Sequence, residues 1–166
     1  MLSIKIICVG KLKERFYTDA ANEYIKRLSA YCQLEIIEIP EHYQTNKTIR
    51  TPRQPDPHIA IALDKERIAL EEKIPDGVIR VALCIEGIEM DSHRLSDFLT
   101  KCAGRGTSRL CFIIGGSHGL HESVKNKADM MLSMSKMTFP HNLARVMLLE
   151  QLYRAFKIAE GGKYHK

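Results

Sequence analysis

No apolar run in this 166-residue chain approaches the roughly 20 residues a helix needs to cross a bilayer. The opening MLSIKIICVGKLKERF holds an apolar stretch shorter than the core of a secretory leader, and no small-residue cleavage site. Cysteine is sparse. Cys8, Cys32, Cys84, Cys102 and Cys111 are odd in number, widely spaced and form no C-x-x-C pair. That speaks against a zinc site or a disulfide frame and for free thiols in a reducing compartment. A soluble, cytoplasmic protein with no membrane partner is expected. There is no internal repeat, no low-complexity segment and no break in composition, so residues 1–166 are expected to form one domain.

Several catalytic signatures are also missing. The stretch FIIGGSHGL, residues 112–120, lacks the G-x-G-x-x-G order of a dinucleotide site and the G-K-[ST] ending of a P-loop. Ser117 sits in GGSHG, which is not the G-x-S-x-G of a nucleophile elbow. His118 and His121 are three residues apart, but no Cys, Asp or Glu completes a set at zinc-ligand spacing, so no metal is expected. Such histidines suit surface or capping roles. The glycines themselves have two readings. They make a tight strand-to-helix turn, or they let the backbone approach a ligand without an intervening Cβ.

What is present is a globular composition, with 45% apolar and 27% charged residues. The net charge of +5 and the pI near 9.0 permit an anionic partner such as nucleic acid without requiring one. SIKIICV reads as a first strand ending at Gly10, and QLEIIEI as a second, stopped by Pro40. Between them, residues 14–30 place Phe16, Ala20, Tyr24 and Leu28 on one helical face. Residues 40–57 carry Pro40, Pro52, Pro55 and Pro57 and read as a surface loop. A helix is expected over 58–73. VIRVALCI is nearly all apolar, as suits a strand covered on both faces. Asp91 or Ser92 should cap a helix running to Cys102, and RLCFIIGG should be a fourth strand. A short helix near 121–128 and a short strand near 130–133 follow. Pro140 suits the first turn of a last helix, whose apolar side is read as Leu143, Val146, Met147, Leu149, Tyr153 and Phe156. Strands alternating with helices predict a three-layer α/β domain with a mainly parallel sheet.

Two segments carry more chemistry than connectors need. MSKMTFPH, residues 134–141, mixes apolar side chains with Ser135, Lys136, Thr138 and His141. GGKYHK, residues 161–166, sets Tyr164 among Lys163, His165 and Lys166. The latter is either a solvated basic segment or a place where an aromatic stacks on a base while cations meet phosphate.

Taken together, VGKLKERFY, ALCIEG, FIIGGSHGL, SKMTFPHNLARVMLLEQLYRAFKI and the final YHK resemble, in that order, the bacterial ribosomal RNA large subunit methyltransferase H family, of the SPOUT class. The likeness spans nearly the whole chain and is weakest over residues 40–57. It implies a SPOUT-like fold with a C-terminal trefoil knot, a homodimer, and S-adenosyl-L-methionine as cofactor. It implies methylation at N3 of a pseudouridine in 23S rRNA within the assembled ribosome. By matching positions, Leu83, Gly115, Met134, Ser135, Lys136, Met137, Thr138 and Phe139 are the implied cofactor pocket. Leu83, Met137 and Phe139 would wall an adenine, and the loop backbone would supply polar contacts. Gly115 would let the ribose or methionine part come close. On the substrate side, His165 and Tyr164 are candidates to take a proton, and Arg145 and Arg154 to grip phosphate or an anionic base ring. The alternatives are a SPOUT methyltransferase of another RNA such as tRNA, and a ribosome- or RNA-binding protein without catalysis.

Overall fold

Leu2–Val9 forms strand β1, and its alternation sorts two cores. Ile4, Ile6 and Cys8 point into one, Ile7 and Val9 into the other. The computed structural model describes residues 1–43, 56–104 and 108–161. In these, β1 is followed by α1 (Arg15–Leu28), β2 (Cys32–Ile39), α2 (Pro57–Lys73), β3 (Ile79–Glu89) and α3 (Ser92–Gly104). Then come β4 (Arg109–Ile114), α4 (Glu122–Asn126), β5 (Met130–Ser133) and α5 (His141–Ala159). The strands form one sheet in the order β2-β1-β4-β3-β5. Every pairing is parallel. All five strands therefore point their carboxyl ends toward one edge, where open α/β sheets place their ligands.

Helices α1, α3 and α5 cover the face that carries Ile4, Ile6, Leu110 and Phe112. Helices α2 and α4 cover the face of Ile7, Cys111 and Ile113, through Leu70 and Val124. This is the expected three-layer α/β arrangement, with the sheet wholly parallel. Four of the five cysteines are buried and all are free. Burial pushes the Cys8 thiol up to about 12 and those of Cys32 and Cys111 up to about 11. These thiols are packing groups, not nucleophiles.

Several local expectations are corrected. Phe16 is 65% exposed; the buried positions of α1 are Ala21 and Leu28, with Tyr24 and Ile25 packed beside them. Phe16 lies in the first turn, its ring against Tyr17. Strand β3 is not covered along its length. Val81 and Ala82 are buried, but Ile85 and Ile88 are about half exposed, at 51% and 52%. Its register against β5 shifts between Leu83 and Ile88, so its far half runs beyond the packed layers. On α5 the buried seam is Arg145, Leu148, Leu149, Leu152 and Ala155. Of the apolar side expected there, only Leu149 is fully buried; Val146, Tyr153 and Phe156 flank the seam.

Helix ends follow local chemistry. Asp91 Oδ1 accepts from the Arg94 N–H at 2.8 Å, capping α3 as expected. Pro57 begins α2 behind Asp56, whose side chain accepts from the His58 N–H, so the last proline of the expected loop starts a helix. Residues 44–55 of that loop lie outside the described residues. Pro140 stands one position before α5 begins.

Candidate functional site

At the carboxyl edge of β3, β4 and β5 lies a cavity of about 870 Å³. Leu83 and Ile114 reach it from the sheet. Residues 115–120 form one wall, residues 132–135 and 137–140 another, and His141 and Ala144 close it from α5. The first wall is a tight turn. Gly116 and Gly119 pair across it, the Gly119 N–H donates to the Gly116 carbonyl at 3.1 Å, and Gly119 holds φ +76°, which favours glycine. The second wall is braced by its own hydroxyls. Ser133 Oγ donates to the Ser135 carbonyl at 2.9 Å, and Ser135 Oγ accepts from the Met137 N–H at 3.0 Å. At the rim, Lys125 bonds Glu86 and Glu122, and these carboxylates hold its ammonium pKa up.

Of the cofactor residues expected from sequence, Leu83, Gly115, Met134, Ser135, Met137, Thr138 and Phe139 line this cavity. Lys136 does not, and it is exposed. Gly115 bears out the tight-turn reading of these glycines: a Cβ there would stand 2.3 Å from the Gly119 carbonyl oxygen, so the turn itself requires glycine, whatever a ligand adds.

The substrate-side candidates separate. Arg145 is buried, with only 2% of its surface exposed. Its guanidinium donates to the Gly10 carbonyl at 2.8 Å and to Glu38. In this arrangement it is an internal tie, and phosphate cannot reach it. Arg154 is half-buried on α5 and donates through Nε at 3.0 Å to Glu150 Oε1. Tyr164 and His165 lie outside the described residues. His121 caps α4, its Nδ1 accepting from the Ser123 N–H at 3.1 Å. The His118 ring meets Tyr43 edge-on at 4.2 Å. Among the described residues no group of three or more His, Cys, Asp or Glu could hold a metal ion.

Sequence reading missed the acidic groups behind the cavity. Glu41, just past β2, accepts from both the N–H and the hydroxyl of Ser117, at 2.7 and 2.6 Å. Burial opposes its ionisation, but those hydrogen bonds and the imidazoles of His141 and His118 outweigh it and hold its pKa below the usual value. Glu66 on α2 is 4% exposed and accepts from the His42 N–H at 2.8 Å. Burial pushes its pKa up, against the pull of that bond. No sequence motif marks either residue, because each acts on a segment distant in the chain. The walls of the cavity are mostly apolar, with a few hydroxyls and backbone groups. Such a place suits a small molecule with an apolar face and a few polar groups.

Comparison with known proteins agrees with this geometry. Residues 2–165 match a family model described as "Predicted SPOUT methyltransferase". Proteins named ribosomal RNA large subunit methyltransferase H are similar along their full length. The one from Clostridium botulinum (strain Eklund 17B / Type B) is 47% identical over 165 residues, covering 99% of this chain and 100% of that protein. The one from Streptococcus pyogenes serotype M5 (strain Manfredo) is 41% identical over 165 residues, with the same coverage. Among solved structures, one described as "a probable methylase family protein from Haemophilus influenzae Rd KW20" superposes with TM-score 0.57 at 13% identity, over 100% of this chain and 72% of that one. One described as "Probable Methyltransferase from Bordetella pertussis Tohama I" gives 0.56 at 13% identity, over 93% and 94%. Those two likenesses show the fold alone. Sequence and fold lead to one conclusion: the chain belongs to the SPOUT methyltransferase family of enzymes.

Proposed function

We propose that this enzyme transfers a methyl group from S-adenosyl-L-methionine to N3 of a pseudouridine in 23S rRNA of the assembled ribosome. One observation carries the reading. Full-length relatives are named for ribosomal RNA large subunit methylation, and segments that carry that likeness line a largely apolar cavity at the sheet's carboxyl edge.

The residues present fit the cofactor. Leu83, Ile114, Leu132, Met137 and Phe139 offer apolar walls for a purine, and the 133–139 segment brings hydroxyls and backbone groups. The cavity volume lies within the roughly 300–1,000 Å³ usual for small-molecule sites. Bound there, S-adenosyl-L-methionine supplies an electrophilic methyl on its sulfonium. The chain's own contribution is placement. Rigid walls on strand ends hold one reactant while the RNA is held against it, which lowers the entropy cost of the displacement. The pseudouridine N3 must lose its proton. His165 and Tyr164 are the proposed acceptors, and Arg154 is the proposed partner for phosphate or the anionic ring. Arg145 is not included, since its guanidinium is buried against Glu38 and Gly10. Family membership supports a homodimer and a C-terminal trefoil knot. A ribosomal substrate places the reaction in the cytoplasm, and no described helix is long and apolar enough to cross a membrane.

Two measurements test this. Calorimetry should show S-adenosyl-L-methionine binding to the purified protein; its absence would favour a binding protein without catalysis. Mapping of modified nucleotides in a deletion strain should show loss of one N3-methylated pseudouridine in 23S rRNA. Loss of a methyl group from tRNA, with rRNA unchanged, would move the substrate elsewhere.

A further inference from the structure

We infer that Glu41 is a positioning residue for the methyl-donor pocket: from the far edge of the sheet it locks the turn that forms one wall. The inference rests on the cofactor reading of the cavity. Glu41 lies two residues past β2, which is the edge strand farthest from β5. From there it crosses the end of β1 and reaches the turn after β4. One oxygen, Oε1, takes both the Ser117 N–H and the Ser117 hydroxyl. A Cβ built on Gly10, at the end of β1, would have His141 Nε2 at 3.4 Å and Glu41 Oε2 at 3.5 Å, so both groups flank that glycine, and the His141 imidazole acts on the Glu41 carboxylate through charge. One carboxylate therefore holds the turn and faces electrostatically the first residue of α5, both of which line the cavity.

Within itself the turn is tied by the Gly116–Gly119 pairing and one hydrogen bond; outside it, Leu120 is buried in the core and the His118 ring meets Tyr43, but only Glu41 bonds the Ser117 N–H and hydroxyl at its tip. A glycine-rich segment gains most from an external clamp, because it loses most conformational freedom on ordering. Hydrogen bonds to an ionised acceptor are the stronger kind. The fit is close as well: a Cβ on Gly116 would stand 2.8 Å from Glu41 Oε1. The carboxylate thus packs directly on the turn's backbone. His118 and Glu66 also face Glu41 electrostatically, so the clamp belongs to a wider charged group behind the wall.

The experiment compares wild type, Glu41→Gln, Glu41→Ala, Ser117→Ala and the Glu41→Ala/Ser117→Ala double variant. S-adenosyl-L-methionine affinity is measured by calorimetry, KM and kcat by methyl transfer, and backbone amide exchange over residues 113–120 without ligand. Glu41→Ala should weaken binding by about tenfold, since a bond to a charged group is lost. It should raise KM while leaving kcat nearly unchanged, and should speed exchange in the turn. The carboxamide of Glu41→Gln still accepts one bond, so its loss should be smaller; it also carries the test if Glu41→Ala does not fold. In the double variant, Ser117→Ala should add little. Wild-type affinity in both Glu41 variants, or full additivity with Ser117→Ala, would overturn the positioning role alone. A wild-type protein that binds no S-adenosyl-L-methionine would overturn the cofactor reading, and this inference with it.

Discussion

The Arg145 guanidinium donates to the Gly10 carbonyl at 2.8 Å and also to Glu38, tying α5 to the carboxyl ends of β1 and β2. Glu38 Oε1 accepts the Leu12 N–H too, at 3.2 Å, so one acidic side chain joins three segments. The side chain of Arg145 is 3% exposed and that of Glu38 31%. Removing the cation leaves a carboxylate and a carbonyl without their partner. Arg145→Met should therefore destabilise the fold by about 2–4 kcal/mol, at the lower end if water reaches Glu38. Urea unfolding measures this directly. An unchanged midpoint would show that the tie contributes nothing to stability.

Gly115→Ala should damage the cavity by breaking its wall. The added Cβ would meet Gly119 backbone at 2.3 and 2.4 Å, and backbone cannot step aside as a side-chain tip can. A cost of about 1–3 kcal/mol in stability is expected, as for other overpacked sites, together with loss of cofactor binding. Gly104→Ala is the control, because nothing lies within 4 Å of a Cβ there. Normal stability and normal affinity in Gly115→Ala would mean that the turn opens at little cost.

Glu66 should carry a pH signature opposite to that of most carboxylates. Burial raises its folded pKa above the ordinary value. The stability it contributes is complete below the unfolded pKa and is lost as pH rises through the folded one. Glu66→Gln keeps an acceptor for the His42 N–H but cannot ionise. The variant should melt higher than wild type at neutral pH, and the gap should close as pH falls into the usual carboxylate range. Melting curves at several pH values test the sign. A gap that widens at low pH would contradict it.

Much of the fold was legible because strands buried on both faces leave continuous apolar runs. RLCFIIGG could be read as strand and turn from composition alone. The failures have physical causes. Phe16 fits the helical period, yet it is exposed, because periodicity does not report how far along a helix its cover extends. Arg145 looked like a ligand-facing cation because charge on a helix is normally solvated. Its burial depends on Glu38, 107 residues away. The cavity wall over 134–139 was anticipated through the family resemblance rather than from local pattern, and its Lys136 proves to lie outside the lining. Glu41 was not, since Ser117 lies 76 residues along the chain. Local pattern carries no record of such a pairing.

The last prediction concerns Tyr164 and His165, which the cavity does not explain. The lining residues that could accept a proton are Glu86, His118 and His141, and Glu86 is held by Lys125. His118 is stacked edge-on against Tyr43, and His141 shares its surroundings with Glu41. A base supplied from outside the cavity walls is therefore the simpler arrangement. Tyr164 offers a stacking face, worth about 1–3 kcal/mol for a base on an aromatic ring. His165 has a reference pKa near neutrality, which suits a group that must take and release a proton. Tyr164→Ala and His165→Ala should each leave melting temperature and S-adenosyl-L-methionine affinity nearly unchanged. Each should slow methylation of ribosomes by at least about tenfold, or about 1.4 kcal/mol of transition-state stabilisation. A His165→Ala enzyme should also lose the acid-side fall in rate near neutral pH, if that imidazole must be neutral to accept the proton. Wild-type rates in both variants would assign proton removal to the cavity histidines. Loss of cofactor binding would assign Tyr164 and His165 to the pocket instead.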